Sequence, residues 1–252
     1  MLRGRKLINF ISRLYYGLMP DFVLNSKRFH EILYRFLIGR WFRLDFKKEY
    51  KKYLEKDWEK LYDSLFVNRI REDDLTNNQK NFILRNISGS SVLEVGCGAG
   101  TMIERLAKRN EIKRIVGNDI SHEAINYLIK KFKDFSKISF IKGNFLNIKF
   151  RRKFDTVLCF HVLEHIEDCQ KMAKFLIKAC RKRLIVIVPQ EDYHPYPPNY
   201  HLQFFNKRNP VTKLFSKRKN ILKIIDGDYI LVSDVSLLLK VKTSNYFGII
   251  YA

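Results

Sequence analysis

Residues Leu93 to Gly100 read LEVGCGAG, with glycines at 96, 98 and 100 directly after a short apolar run. Glycines crowded after a strand let the backbone bend close to a ligand. Spacing argues against two phosphate-gripping chemistries. A dinucleotide fingerprint wants glycines at its first, third and sixth positions, and the sixth here is Thr101. A P-loop closes on Gly-Lys-Ser/Thr, and no lysine follows Gly100. A nucleoside ligand without a pyrophosphate fits better. Asp119 stands 19 residues beyond Gly100, where dinucleotide folds place an acid on the ribose hydroxyls. Glu94 ends the first strand, so its carboxylate can order the loop or meet a ligand ammonium.

These residues need a scaffold, and the surrounding pattern supplies one. From residue 90, short apolar runs (91–95, 114–119, 138–143, 154–160 and 184–189) alternate with helical candidates at 101–109, 121–135 and 167–181. Strands that are apolar on both faces, alternating with helices, indicate a parallel α/β sheet. The stretch NFLNIKFRRK, between the third and fourth runs, is too short and polar for a helix. Residues 220–242 read as two or three more strands around the turn signal DGD. Residues 1–88 read as helical throughout, with Leu7, Ile11, Leu14 and Leu18 on one face of the first helix. The expected organisation is a helical extension over 1–88 and a catalytic domain over 89–252.

Composition narrows the classes. At 252 residues the chain can bury a full core, and 46% apolar content excludes disorder. No apolar run is long enough to span a bilayer. The four cysteines form no CxxC pair, which predicts reduced thiols in a cytoplasm and neither a zinc site nor a disulfide framework. The net charge of +22 is spread along the chain with no detached basic tail.

The motifs together resemble class I S-adenosylmethionine-dependent methyltransferases, in particular the ubiquinone-pathway and small-molecule O-methyltransferase group. VLEVGCGAG is similar to the family's first motif, and VGNDIS, KGNFLN, FDTVLCFHVLEHIED and LIVIVP follow in order over residues 76–242. The resemblance implies a Rossmann-like fold, a mostly parallel seven-stranded sheet flanked by helices, and S-adenosylmethionine as cofactor. It assigns cofactor binding to Glu94, Gly96, Cys97, Gly98, Gly100, Asp119, Ile120, Asn144, Phe145 and Phe160. Asn144 departs from the pattern, standing where many relatives have an aspartate that accepts from the adenine amino group; an amide oxygen can still accept. Phe145 is either an adenine cover or core. Cys159 reads as a buried filler, since nothing near it in sequence would activate a thiol.

Methyl transfer to a hydroxyl needs a positioned acceptor and help with its proton, and histidine is the natural helper. His161 and His201 are the expected catalytic residues. His161, Glu164 and His165 also resemble an ExxEH metal pattern, with His for the first Glu. RNA 2′-O-methyltransferases of this kind add a later histidine, comparable with His201 in NYHLQFF. A divalent metal on His161, Glu164, His165 and His201 is one reading, and a metal-free base is the other. Tyr193, Tyr196 and Tyr200, with prolines 195, 197 and 198, suggest a stiff aromatic loop over the acceptor.

The expected acceptor is a hydroxyl of a small molecule, lipid or glycan precursor. An RNA ribose and a non-catalytic binding module are the alternatives, and nucleic acid ranks below the small acceptor. The basic clusters 113–114, 151–153, 181–183 and 217–219 each precede a predicted strand. In a parallel sheet such positions share the edge opposite the chemistry. With Arg3, Arg5, Lys6 and Arg13, they predict a cytoplasmic protein with a peripheral contact to an anionic membrane surface.

Overall fold

The protein is described by a computed structural model covering residues 15, 17–37, 46–68, 75–193, 196, 200–207 and 210–238. The first three residues of the N-terminal apolar stripe, its four basic residues and prolines 195, 197 and 198 lie outside the described residues.

Apolar alternation on both faces builds the centre of the molecule. Strands β1 (Ser91–Val95), β2 (Arg114–Asp119), β3 (Ile138–Lys142), β4 (Phe154–Phe160), β5 (Cys180–Pro189), β6 (Arg218–Ile225) and β7 (Asp228–Leu238) form one sheet. Its order is β3-β2-β1-β4-β5-β7-β6. The first five strands are parallel, and β7 runs antiparallel to both β5 and β6. β4 is buried along its whole length, as a strand with helices over both faces must be.

One face packs against α3 (Asn77–Asn86), α4 (Thr101–Ala107) and α5 (His122–Lys131), joining Ile83, Met102, Ile103, Leu106 and Leu128 to Ile115 and Leu158. The other face receives α6 (Cys169–Ala179), whose Met172, Ala173 and Leu176 meet Leu93, Val157 and Val186. Two longer helices precede these among the described residues, α1 (Lys27–Leu37) and α2 (Glu55–Asn68), with single turns at Asp21–Leu24 and Phe46–Glu49. Within the region expected to be an extension, α3 gives Ile83 to the core with no exposed surface. A capping box fixes the start of α3. Thr76 accepts from the Gln79 N–H, and Gln79 accepts from the Thr76 N–H.

Two local expectations are corrected. The helix expected to run to 181 stops at Ala179, and β5 starts at Cys180, four residues before its apolar run. Pairing decides this. Phe154 is opposite Cys180, and Asp155 binds Arg181, so CRKR is held extended despite its polarity. The cluster 181–183 therefore lies inside β5, not before it. The region between β3 and β4 contains only a short 3-10 turn, Phe145–Asn147, as its polarity predicted. DGD makes a two-residue hairpin in which Ile225 pairs with Asp228, and Asp226 and Gly227 both adopt positive φ.

β6 runs the same way as β5, so the basic clusters at 114, 151–153, 181–183 and 217–219 share the N-terminal edge of the sheet. No helix among the described residues is long and apolar enough to cross a membrane.

Asp155 organises this edge. Its Oδ2 accepts from the N–H groups of Ser90 and Ser91 and from Ser91 Oγ, while Oδ1 accepts from Arg181. Burial alone would raise its carboxyl, but Arg181, Ser90, Ser91 and Lys182 hold it well below the usual range. Its contribution to stability is complete above the unfolded-state value and is lost as pH falls through the native one. Asp155→Ala should destabilise the protein by about 2–4 kcal/mol at pH 7, since it strands a buried donor set and a guanidinium. The loss should shrink toward pH 2. Urea denaturation of both proteins at several pH values checks this, and a loss that is equal at all pH values refutes it.

Candidate active site

The C-terminal ends of β1 and β4 are neighbours, and they mark the point where the strand order reverses. Open α/β sheets bind ligands at that point. The glycine loop lies on one side and the stretch from His161 to His165 on the other.

The three loop glycines do different work. A Cβ at Gly96 would stand 2.3 Å from Val162 Cγ2, and one at Gly100 would stand 2.5 Å from Leu128 Cδ2. Both have positive φ, so these two glycines seat the loop on the protein itself. A Cβ at Gly98 would meet nothing within 4 Å. Of the three, only Gly98 leaves open space for a ligand to approach. Cys97 is buried, and its sulfur lies close under Gly117. Burial, with Asp119 and Glu94, pushes its thiol well above the usual range.

Asp119 at the end of β2 fastens this loop. Its Oδ2 accepts from the Gly98 N–H at 2.8 Å, and its Oδ1 accepts from the Ser121 N–H at 2.9 Å. Each carboxylate oxygen can accept again, so ribose hydroxyls remain compatible. Burial raises the Asp119 carboxyl, although the N–H groups of Ser121, Gly98 and Ile120 pull it back. Glu94 is buried beside it, and its Oε2 has no hydrogen-bond partner. Burial and then the charge of Asp119 push the Glu94 carboxyl up to about 8. A ligand ammonium placed here would stabilise the ionised form.

Asn144, expected to meet adenine, uses its amide oxygen to accept from the Leu146 N–H, capping the 3-10 turn. Phe145 is resolved toward core: it is buried against Phe150 and Phe175. Phe160 is buried at the end of β4, Ile120 is half-buried, and Cys159 is fully buried with its thiol raised by burial.

Past Phe160 the chain turns sharply. His161 takes a left-handed φ of 52°, yet its N–H still donates to the Ile187 carbonyl in β5. That conformation is uncommon for histidine, and surrounding contacts must hold it. Its Nδ1 donates to Glu164 Oε1 at 3.2 Å, and its Nε2 lies 3.4 Å from Asp228 Oδ2. Asp228 also accepts from Gln79 Nε2 at 2.8 Å.

Three of the four expected metal ligands converge. Glu164, His165 and His201 each bring a ligand atom within 4.8 Å of the other two. His161 stands outside this trio, because its ring is committed to the two carboxylates. The Glu164 carbonyl accepts from the N–H groups of Leu202 and Gln203, which brings the 201 segment to the turn. His165 Nδ1 donates to the Tyr200 carbonyl, and His201 Nδ1 donates to Glu191. Both rings therefore have Nε2 as the nitrogen able to coordinate. Glu164 Oε2 is buried without a hydrogen-bond partner. Burial would raise this carboxyl, but His161, His165 and His201 outweigh it and hold it at about 2. Burial, then His201, lowers His165 to about 4, which keeps its ring neutral. An ionised carboxylate beside a neutral imidazole is the protonation state a divalent cation needs.

The sequence showed α2 as a helix but gave it no part in the site. Asp63 accepts from Ser121 Oγ and from the Glu123 N–H, and Glu59 and Glu55 bind Lys142 and Asn147. The helix thus lies across the C-terminal ends of β2 and β3. Its Tyr62 ring stands nearly perpendicular to the His165 ring, with the ring centres 6.0 Å apart. Burial, Glu164 and Asp119 push that phenol far up. Phe46, Tyr53, Trp58 and Tyr200 continue the aromatic wall. In sequence α2 showed only a helix, with nothing to say which edge it would cover.

A family model described as a methyltransferase domain matches residues 86–225. A tRNA (guanine-N(7)-)-methyltransferase of Clostridium botulinum is 31% identical over 132 residues, 52% of this chain and 50% of the relative. A ubiquinone biosynthesis O-methyltransferase of Coxiella burnetii is 33% identical over 94 residues, 35% of this chain and 38% of the relative. The chain thus spans about half the length, or less, of these curated relatives. Among solved structures, magnesium protoporphyrin IX methyltransferase from Synechocystis PCC 6803, with bound SAH, has a TM-score of 0.56 at 17% identity. It covers 72% of this chain and 99% of that one. N-methyltransferase NodS from Bradyrhizobium japonicum WM9 has a TM-score of 0.55 at 19% identity, covering 70% and 97%. At those identities the likeness is one of fold.

The raised carboxyls of Glu94 and Asp119 give a pH signature. Both favour the protonated native state, so stability should fall as pH rises from about 5 toward 8. Glu94→Gln should make that slope shallower. Thermal unfolding across this range, without ligand, checks it; an unchanged slope refutes the assignment to Glu94.

Proposed function

The chain belongs to the methyltransferase-domain family, and from that premise we propose an S-adenosylmethionine-dependent O-methyltransferase. Its acceptor in this reading is a hydroxyl of a small molecule, lipid or glycan precursor. The observation that carries the oxygen assignment is the convergence of buried Glu164 with half-buried His165 and His201 beside the cofactor edge, with an unpartnered Glu164 oxygen.

The cofactor supplies a methyl group on a positively charged sulfur, which an in-line nucleophile can take. The chain holds that cofactor by the open backbone at Gly98, the Asp119 carboxylate toward ribose and the Glu94 carboxyl toward the ammonium. Glu164, His165 and His201 are the residues that would hold a divalent cation. Bound there, a cation would acidify an acceptor hydroxyl near neutral pH. His161 is a positioning residue in this reading: it holds Glu164 Oε1 and leaves Oε2 without a hydrogen-bond partner. In the metal-free alternative, His201 Nε2 takes up the hydroxyl proton while Nδ1 donates to Glu191; with a cation held on Nε2, the proton would pass to solvent instead. The aromatic wall of Trp58, Tyr62 and Tyr200 suits an acceptor with a ring or an apolar body.

An RNA acceptor is the second reading, favoured by the similarity to tRNA (guanine-N(7)-)-methyltransferases. Transfer of labelled methyl into RNA, lipid and small-molecule extracts separates the two, and label confined to RNA replaces the small-acceptor reading.

Calorimetric titration with S-adenosylhomocysteine should give saturable heat, and Asp119→Ala should weaken binding by about 1–3 kcal/mol. No heat from the unaltered chain would favour a non-catalytic binding module, and equal affinity in the variant would remove the ribose role. Glu164→Gln should lower methyl transfer by about 100-fold or more, as should chelation, with added magnesium or manganese reversing only the latter. Transfer that survives both treatments excludes the metal-assisted route.

A further inference from the structure

The N-terminal edge of the sheet, remote from the chemistry, has a concavity of its own. Ser91, Arg114, Arg152, Lys153 and Arg181 line an open cleft of about 460 Å³. They come from the starts of β1, β2, β4 and β5, so the cleft exists only because those strands are adjacent and parallel.

Four cations share this cleft, and the acid beside it is already engaged. Asp155 accepts from Arg181 Nε at 2.9 Å and Nη2 at 2.5 Å, and Lys182 Nζ lies 3.3 Å from the same oxygen. Arg114, Arg152 and Lys153 have no ion pair among the described residues. Arg114 is held by stacking, with its guanidinium 4.2 Å from the centre of the Phe154 ring. Its Nε is buried and has no hydrogen-bond partner, a costly state for a donor unless an acceptor is supplied.

Two of these guanidinium groups are fixed before any ligand arrives: Arg181 by a carboxylate, Arg114 by a ring. Planar forks held in place lose little freedom on binding, and they match the oxygens of a phosphate better than a single ammonium does. We propose that this cleft binds a phosphate monoester group, free or carried as a lipid headgroup. A strand of five residues spans about 15 Å, so the bound group would sit a full sheet-width from the methyl-transfer edge. The site is independent of the methyltransferase reading.

The test uses the full chain without cofactor. Calorimetric titration with inorganic phosphate, at ionic strength held constant with chloride, should give saturable binding. Sedimentation with phosphatidylcholine vesicles, with and without phosphatidic acid, tests the lipid source. Arg152→Glu combined with Lys153→Glu alters exposed side chains, and its circular-dichroism melt should match the parent. That variant should bind about tenfold more weakly or worse. Phosphate binding without vesicle binding identifies a free ligand; vesicle binding that phosphate displaces identifies a headgroup. No saturable binding in either arm overturns the proposal. So does equal binding by the doubly substituted protein.

Discussion

The His161 ring between Glu164 and Asp228 is the contact on which the C-terminal edge depends. It joins the end of β4 to the start of β7, and through Asp228 and Gln79 it reaches the capped end of α3. A left-handed histidine is held in place by this over-determination. With the turn fixed, Val162 packs over Gly96, Glu164 faces inward, and its carbonyl draws residues 202–203 into place. Loosening this clamp would disturb the glycine loop and the cluster of Glu164, His165 and His201 together.

The two edges of the sheet handle charge in opposite ways. At the C-terminal edge, carboxyls are buried: Glu94, Asp119, Glu164 and Asp228 all lie below 10% exposure. Histidines and backbone N–H groups surround Asp119 and Glu164, while Glu94 has one oxygen without a partner. A positively charged ligand would relieve that imbalance. At the N-terminal edge the excess is positive, and Asp155 is the acid that binds it together. A chain with net charge +22 can in this way keep an interior suited to a cationic cofactor, with four of its basic clusters on the opposite edge.

Much of the fold was legible because doubly buried parallel strands carry a strong local signal. All five parallel strands and the DGD hairpin were readable from short apolar runs and turn residues. The start of β5 was not, since CRKR looks polar until Asp155 and β4 pair with it. At the site, Gly96, Gly98, Gly100 and Asp119 stood out by type and spacing, and so did the HVLEH turn. Their division of labour did not: Gly96 and Gly100 touch protein, Gly98 faces open space, and Phe145 is core. Tyr62 and Asp63 gave no sign, because a helix pattern shows which face is apolar and not what it covers.

By itself the sequence determined the family and the strand–helix order, since both are written in local residue types at fixed spacings. It also determined which residues could ligate a metal. Only the tertiary structure decided which of them converge. His161 and His165 are four residues apart, yet one is clamped between carboxylates and the other meets His201, which lies 36 positions later in the chain. The reason is physical. A side chain's role follows from its partners' distances and from burial, and those are set by the packing of segments remote in sequence.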